Sequence, residues 1–169
     1  MVSIVQAILR GSQFLWTLLT TALIGNVIAE AFAGNPSGIN YAIFTSVFCW
    51  LVLIYGGVAA FMESLAIPIA LLAMDALATL FTFIAGVVLA AKLTVHSCSN
   101  RGYVLTNGYT NGSHNPEKRC RELQASTAFY WFLFASFAAS LVMTALSSRG
   151  SGITGRGGIR KGGPSMSQV

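Results

Sequence analysis

The sequence predicts an all-α membrane protein built as a four-transmembrane-helix bundle, and three observations lead there. Only 9% of the 169 residues are charged and 54% are hydrophobic, whereas soluble domains carry about 25% charged residues. Mean hydropathy is +0.68, so the surface is too poor in charge to face water all round. Charge is also absent from long stretches, and four of these reach the roughly 20 residues that a helix needs to cross a bilayer core. The length suits one domain. Each stretch must be helical, because an isolated spanning segment in lipid can satisfy its backbone groups in no other way.

The first span, about 11–30, follows Arg10 and runs without charge to Glu30. Arg10 comes after an apolar start, not before one, so the segment is expected to remain as an anchor instead of being removed as a leader. The turn Gly34-Asn35-Pro36-Ser37-Gly38 separates it from a second span at about 41–62. A very short connection containing Glu63 leads to the third span, about 65–91, with Pro68 in its first turn, where proline is tolerated. Glu63 reads as an interfacial cap. A long loop, 92–122, rich in Asn, Gly, Ser and Tyr, precedes the fourth span at about 123–148. The basic, glycine-rich residues 149–169 read as a disordered cytosolic tail.

Four spans place both termini on one face, but charge does not say which. The termini carry Arg10, Arg149, Arg156, Arg160 and Lys161, and the long loop carries Lys92, Arg101, Lys118, Arg119 and Arg121, a tie under the positive-inside rule. Cysteine chemistry breaks it. Cys98 and Cys120 stand at the two ends of the loop, where neighbouring helices would bring them together, and a disulfide there needs an oxidising compartment. Asn111-Gly112-Ser113 in the same loop is a glycosylation acceptor sequon, read only on the lumenal side. Both favour the loop outside and the termini in the cytosol. Two reduced thiols, or a zinc site from His96, Cys98, His114 and Cys120, are the alternatives, although the spacing fits no compact ligand pattern. Cys49 within the second span reads as a small packing residue.

Asp75 is the side chain that most needs explaining. A charge inside a span is costly and points by default to function. At helical spacing it shares a face with Thr79, Thr82 and Gly86, a stripe expected to turn into the bundle and bond across helices. Gln13, Thr17 and Tyr55 lie at comparable depth as partners. Burial favours a protonated acid acting as a hydrogen-bond donor. The bland reading is a clasp between helices; the sharp one is a small channel or transporter using Asp75. Gly56-Gly57 offers a close-contact patch, within the bundle or between copies.

No nucleophile has a base beside it and no glycine loop could cradle phosphate, so the chain is read as no enzyme, with no cofactor and no metal. Its net charge of +5 suits anionic headgroups, bound through Arg149, Arg156, Arg160 and Lys161, and no nucleic acid. Phosphorylation of serines and threonines in or beside that tail, Ser147 to Ser167, would weaken the attraction.

The run His96-Ser97-Cys98 with Asn100 and Tyr103, then Arg119-Cys120-Arg121 with Gln124, Ala125, Ala128 and Phe129, resembles the fungal non-classical export protein family. So do Asn40-Tyr41 with Phe44, Phe61 and Glu63 before Pro68, then Asp75 followed by Phe81-Thr82-Phe83 and Ala85-Gly86, and the closing Ser167-Gln168-Val169. The likeness covers nearly the whole chain. It implies a MARVEL-like tetraspan of the plasma membrane, associated with the eisosome furrow compartment and its coat proteins, responsive to sphingolipids and linked to unconventional export, with homo-oligomers among its expected partners. The insertion Gly108 to Ser113 departs from the family pattern, so the sequon need not be a family feature and glycosylation does not follow from the resemblance.

Overall fold

A computed structural model describes residues 4–62 and 67–150, with the side chains of 60–61 and 147–150 excepted. Five helices follow in order: α1 (Ile4–Ala29), α2 (Ser37–Phe61), α3 (Pro68–Leu93), the short α4 (Arg101–Thr106) and α5 (Pro116–Gly150). Among the described residues four helices, α1, α2, α3 and α5, are long and apolar enough to cross a membrane. A 26-residue helix is about 39 Å long at 1.5 Å per residue, enough for a hydrocarbon core of about 30 Å with a turn to spare at each end. Glu63 and Arg156, Arg160 and Lys161 of the tail lie outside the described residues, as does the side chain of Arg149.

The helices pack as a ring, α1 beside α2, α2 beside α3, α3 beside α5, and α5 back beside α1. Successive spans alternate in direction, so the start of α1 and the end of α5 share one end of the bundle. The opposite end carries α4, the first loop and the long loop. Ile24, Val27, Ile39, Ala42, Leu89 and Leu123 fill the third nearest α4, and Ala78, Ala85, Leu133 and Phe137 the rest. The outward faces are apolar too, with Phe44, Val47, Leu51 and Ile54 exposed along α2. Lipid removes any hydrophobic drive to bury such residues, which is why both faces of α2 read alike in the sequence.

Three helix starts differ from the sequence expectation, and α2 already begins at Ser37, inside the expected turn. Helix α1 starts at Ile4, so Arg10 lies two turns inside the helix instead of ahead of it. Helix α5 starts at Pro116, which carries the charged run 117–122 into a helix and shortens the connection from α3. Pro116 at the first position of α5 suits the missing donor there. Thr94 ends α3 with φ 50°, an uncommon conformation for a β-branched residue, and its N–H still caps Ala90 O at 3.0 Å.

Gly38 lets the long loop dock on the bundle. A Cβ there would stand 2.5 Å from Tyr109 Oη and 2.8 Å from Val88 Cγ1. Gly38→Ala should therefore cost about 1–3 kcal/mol, the range for an overpacked core position. The check is a lowered thermal midpoint in detergent micelles; an unchanged midpoint would show that Tyr109 can move aside at little cost.

Candidate functional site

The acid and the base within the spans have found each other. Arg10 of α1 donates from Nη1 to Asp75 Oδ1 at 2.9 Å and from Nη2 to Asp75 Oδ2 at 2.8 Å. This is the two-pronged arginine–carboxylate geometry, the strongest form of the pair. The Asp75 side chain is 1% exposed and that of Arg10 21%. Arg10 Nη1 also donates to Gln13 Oε1 at 3.0 Å. Gln13 in turn donates to Ser140 Oγ at 2.9 Å and to Ser136 O at 3.1 Å. One chain of polar contacts thus joins α1, α3 and α5. Helix α2 contributes by absence: a Cβ on Gly56 would lie 3.3 Å from Arg10 Cζ, so the glycine leaves room for the guanidinium to pass.

This geometry alters several expectations. Asp75 acts as an ion-pair acceptor and not as a neutral donor, because a facing guanidinium accounts for both carboxylate oxygens. Arg10, counted among the terminal flank charges, lies within the bundle. Gln13 belongs to the network, but through Arg10. Thr17 is buried, and its hydroxyl has no hydrogen-bond partner among the described residues. Tyr55 is half-buried. Thr82 is buried and Thr79 half-buried, but neither hydroxyl crosses between helices. Thr79 donates to Asp75 O and Thr82 to Ala78 O, each at 2.7 Å on their own helix.

Above this layer a second polar contact crosses the other diagonal of the ring. Tyr130 of α5 donates to Ala42 O of α2 at 2.6 Å, and its oxygen lies 2.8 Å from Ser46 Oγ. Ser46 also bonds Thr20 of α1 at 3.3 Å. Cys49 is buried beside them, as expected of a packing residue. In both layers long side chains join helices that are not neighbours in the ring.

The end of the bundle that carries α4 is a folded cap. Cys98 and Cys120 form a disulfide with Cα atoms 5.6 Å apart, so the pairing expected from sequence is present and the zinc reading has lost two of its ligands. With Tyr103 and Val104 they make a small core of their own. Tyr103 donates its hydroxyl to Leu93 O, and Asn107 Nδ2 bonds Lys92 O at 2.9 Å, fastening α4 to the end of α3.

Arg119 organises the rest of the cap. It is 2% exposed, and its guanidinium donates to Val27 O at 2.6 Å, Tyr109 O at 2.8 Å and Asn35 Oδ1 at 2.9 Å. It therefore ties α1, the first loop and the long loop to α5. The two loops also pair directly, through the bridge Ala31–Ser113 and Phe32 N–H to Gly112 O at 3.1 Å. The sequence reading had Arg119 as a loop charge and as part of the family resemblance, and neither could reveal its burial. At the rim Lys118 bonds Glu30, and this bond holds the half-buried Glu30 carboxyl below its ordinary value. Asn26 donates to Glu122 at 2.7 Å.

The chain's resemblances agree with this architecture. The MARVEL family model, described as a membrane-associating domain, matches residues 3–143. The chain is 35% identical over 177 aligned positions to Non-classical export protein 2 of Saccharomyces cerevisiae, with both chains fully covered. It is 37% identical over 173 positions, again with full coverage, to Non-classical export protein 102 of Candida albicans. A Schizosaccharomyces pombe protein, Non-classical export protein 2 homolog, is 30% identical over 77% of this chain and 75% of its own length. No solved structure matches. The family and the four apolar helices point to a multi-pass membrane protein. With the tetraspan fold, the charge clasp and the disulfide-tied cap in place, the conclusion is that this chain belongs to the MARVEL family, within its fungal non-classical export proteins.

Proposed function

We propose that the protein organises a lateral domain of the fungal plasma membrane, the eisosome furrow compartment, and does so as a scaffold. The observation that supports a scaffold over a transporter is the Arg10–Asp75 pair: the acid that a proton or ion relay would need is already held at both oxygens. Around it the bundle turns its polar groups inward and presents apolar side chains to lipid. Such a surface acts through shape and through the lipids and copies that pack against it. In this reading the disulfide-tied cap faces outward, where oxidation is possible, and both termini lie in the cytosol. The basic tail then meets anionic lipid, each positive contributing about 1 kcal/mol near the surface, and the coat proteins beneath. The names of the relatives support a link to unconventional export.

Live-cell imaging of a tagged copy tests the proposal. A punctate cell-surface pattern that changes when sphingolipid synthesis is blocked is the expected result, and mainly internal localisation would refute it. Deleting residues 149–169 should scatter the puncta, with membrane insertion intact; puncta that persist would remove the tail from the mechanism.

A further inference from the structure

The sequon Asn111-Gly112-Ser113 is half inside the fold. Asn111 is exposed, but its N–H is bonded to Asn107 O at 3.0 Å. Gly112 gives its carbonyl to Phe32, and a Cβ on it would lie 3.6 Å from the guanidinium of Arg119. Ser113 is 3% exposed and bridged to Ala31, and its hydroxyl has no hydrogen-bond partner among the described residues. The acceptor amide therefore faces water while the hydroxyl two residues on, the other half of the recognition signal, is buried beneath the first loop.

We propose that Asn111 is an N-glycosylation site that folding closes: it accepts glycan only while the outer cap is open and becomes inaccessible once Cys98 has bonded Cys120 and Arg119 has docked. In the transfer, the Asn111 amide nitrogen forms a bond to the anomeric carbon of a lipid-linked oligosaccharide pyrophosphate. The carbon–oxygen bond to pyrophosphate breaks, the lipid pyrophosphate leaves, and the amide gives up one proton. Cap closure competes with this step. It passes two electrons and two protons from the thiols to a lumenal disulfide, which is reduced to a dithiol.

Transfer requires Asn111 and the Ser113 hydroxyl together on a segment that can leave the surface. In the closed cap three restraints oppose that: the bridge to Ala31 of the first loop, the packing against Arg119, and the disulfide that joins the loop to the first turns of α5. The disulfide joins residues 22 positions apart and so restricts the open chain. A glycan already on Asn111 would not break the bridge, because the Asn111 side chain points to water. Modification and closure are therefore ordered in time: modification is possible before closure and blocked after it.

The inference rests on the outward placement of the cap, so the experiment includes an independent reporter of that placement. The full-length protein is expressed in yeast, and glycan is read as a mobility shift removed by endoglycosidase. Four forms are compared: the wild type, Asn111→Gln, the double variant Cys98→Ser with Cys120→Ser, and the wild type synthesised under dithiothreitol. A fifth carries Asn111→Gln and a flexible Gly/Ser insertion with its own sequon after the exposed Ser99. The expected result is a wild type that is mostly unmodified, a several-fold larger modified fraction in the double variant and under dithiothreitol, and full modification of the insertion. Complete modification of the wild type would overturn the proposal, as would a double variant no more modified than the wild type while the insertion is glycosylated. An insertion left bare would place the cap in the cytosol and overturn the orientation together with the inference.

Discussion

Replacing Asp75 with Leu should destabilise the bundle by about 3 kcal/mol, the lower end of the cost of breaking a buried ion pair. The cost comes from Arg10, left with its charge inside the span and no counterion. A lone charge at depth is disfavoured by roughly 2.5–3.5 kcal/mol on insertion scales. The lower end applies because the Arg10 side chain retains 21% exposure and can retreat toward the headgroups. The double variant Arg10→Leu with Asp75→Leu should recover most of the loss, since apolar replacements of buried pairs are often neutral. Unfolding in mixed micelles across the full double-mutant cycle measures the coupling directly. If the double variant loses the sum of the two single losses, the two residues do not act as a pair. Asp75→Asn is the informative intermediate. It keeps hydrogen bonding to Arg10 but removes the charge, so its loss should fall between the wild type and Asp75→Leu, whereas proton-coupled transport would be abolished outright.

Arg119→Met should open the outer cap while leaving the spans assembled. The side chain makes three hydrogen bonds from a charged group, and such bonds contribute about 1.5–3 kcal/mol each when measured singly. They share one guanidinium and do not add, so a local loss of about 3 kcal/mol is expected. Arg119→Lys should restore little, because an ammonium cannot present three donors in a planar fork to three separate acceptors. The effect should be regional. Val27, Asn35 and Tyr109 are its partners, and none of them belongs to the Arg10–Asp75 layer. The measurement is the rate at which Cys98 and Cys120 become alkylated under mild reductant, set beside the thermal midpoint of the bundle. Faster alkylation with a nearly unchanged midpoint is the expected pattern of a separately opening unit. A large fall in the midpoint with no change in alkylation would mean that Arg119 supports the spans and not the cap.

The two arginines show what a sequence reading of charge can miss. Both entered the orientation count as flank or loop positives. In the structure Arg10 neutralises Asp75 and Arg119 is enclosed by carbonyl and amide oxygens, so neither is a free charge of the kind that the positive-inside rule counts. Asp75 itself was legible, since an acid inside an apolar stretch is conspicuous, but its partner was not. Arg10 sits next to the stretch that its own charge appeared to delimit. The stripe Asp75, Thr79 and Thr82 was legible as one helix face, whereas the direction of the hydroxyls was not. A threonine in a helix can bond its own preceding turn, and these do.

The sequence by itself determined the number of spans, their helical state, the turn between the first two, and the cysteines at the ends of the long loop. These are local or compositional properties: a run of apolar residues in lipid has one way to satisfy its backbone, whatever its neighbours do. The tertiary structure alone decided that α1 takes Arg10 into the bundle, that Gly56 clears its path, and that Arg119 and the buried half of the sequon close the cap. Arg10 and Asp75 are 65 positions apart, and Val27 and Arg119 are 92. A charge can be buried only where a partner at that distance arrives at the same depth, and only the packing of the four helices places it there.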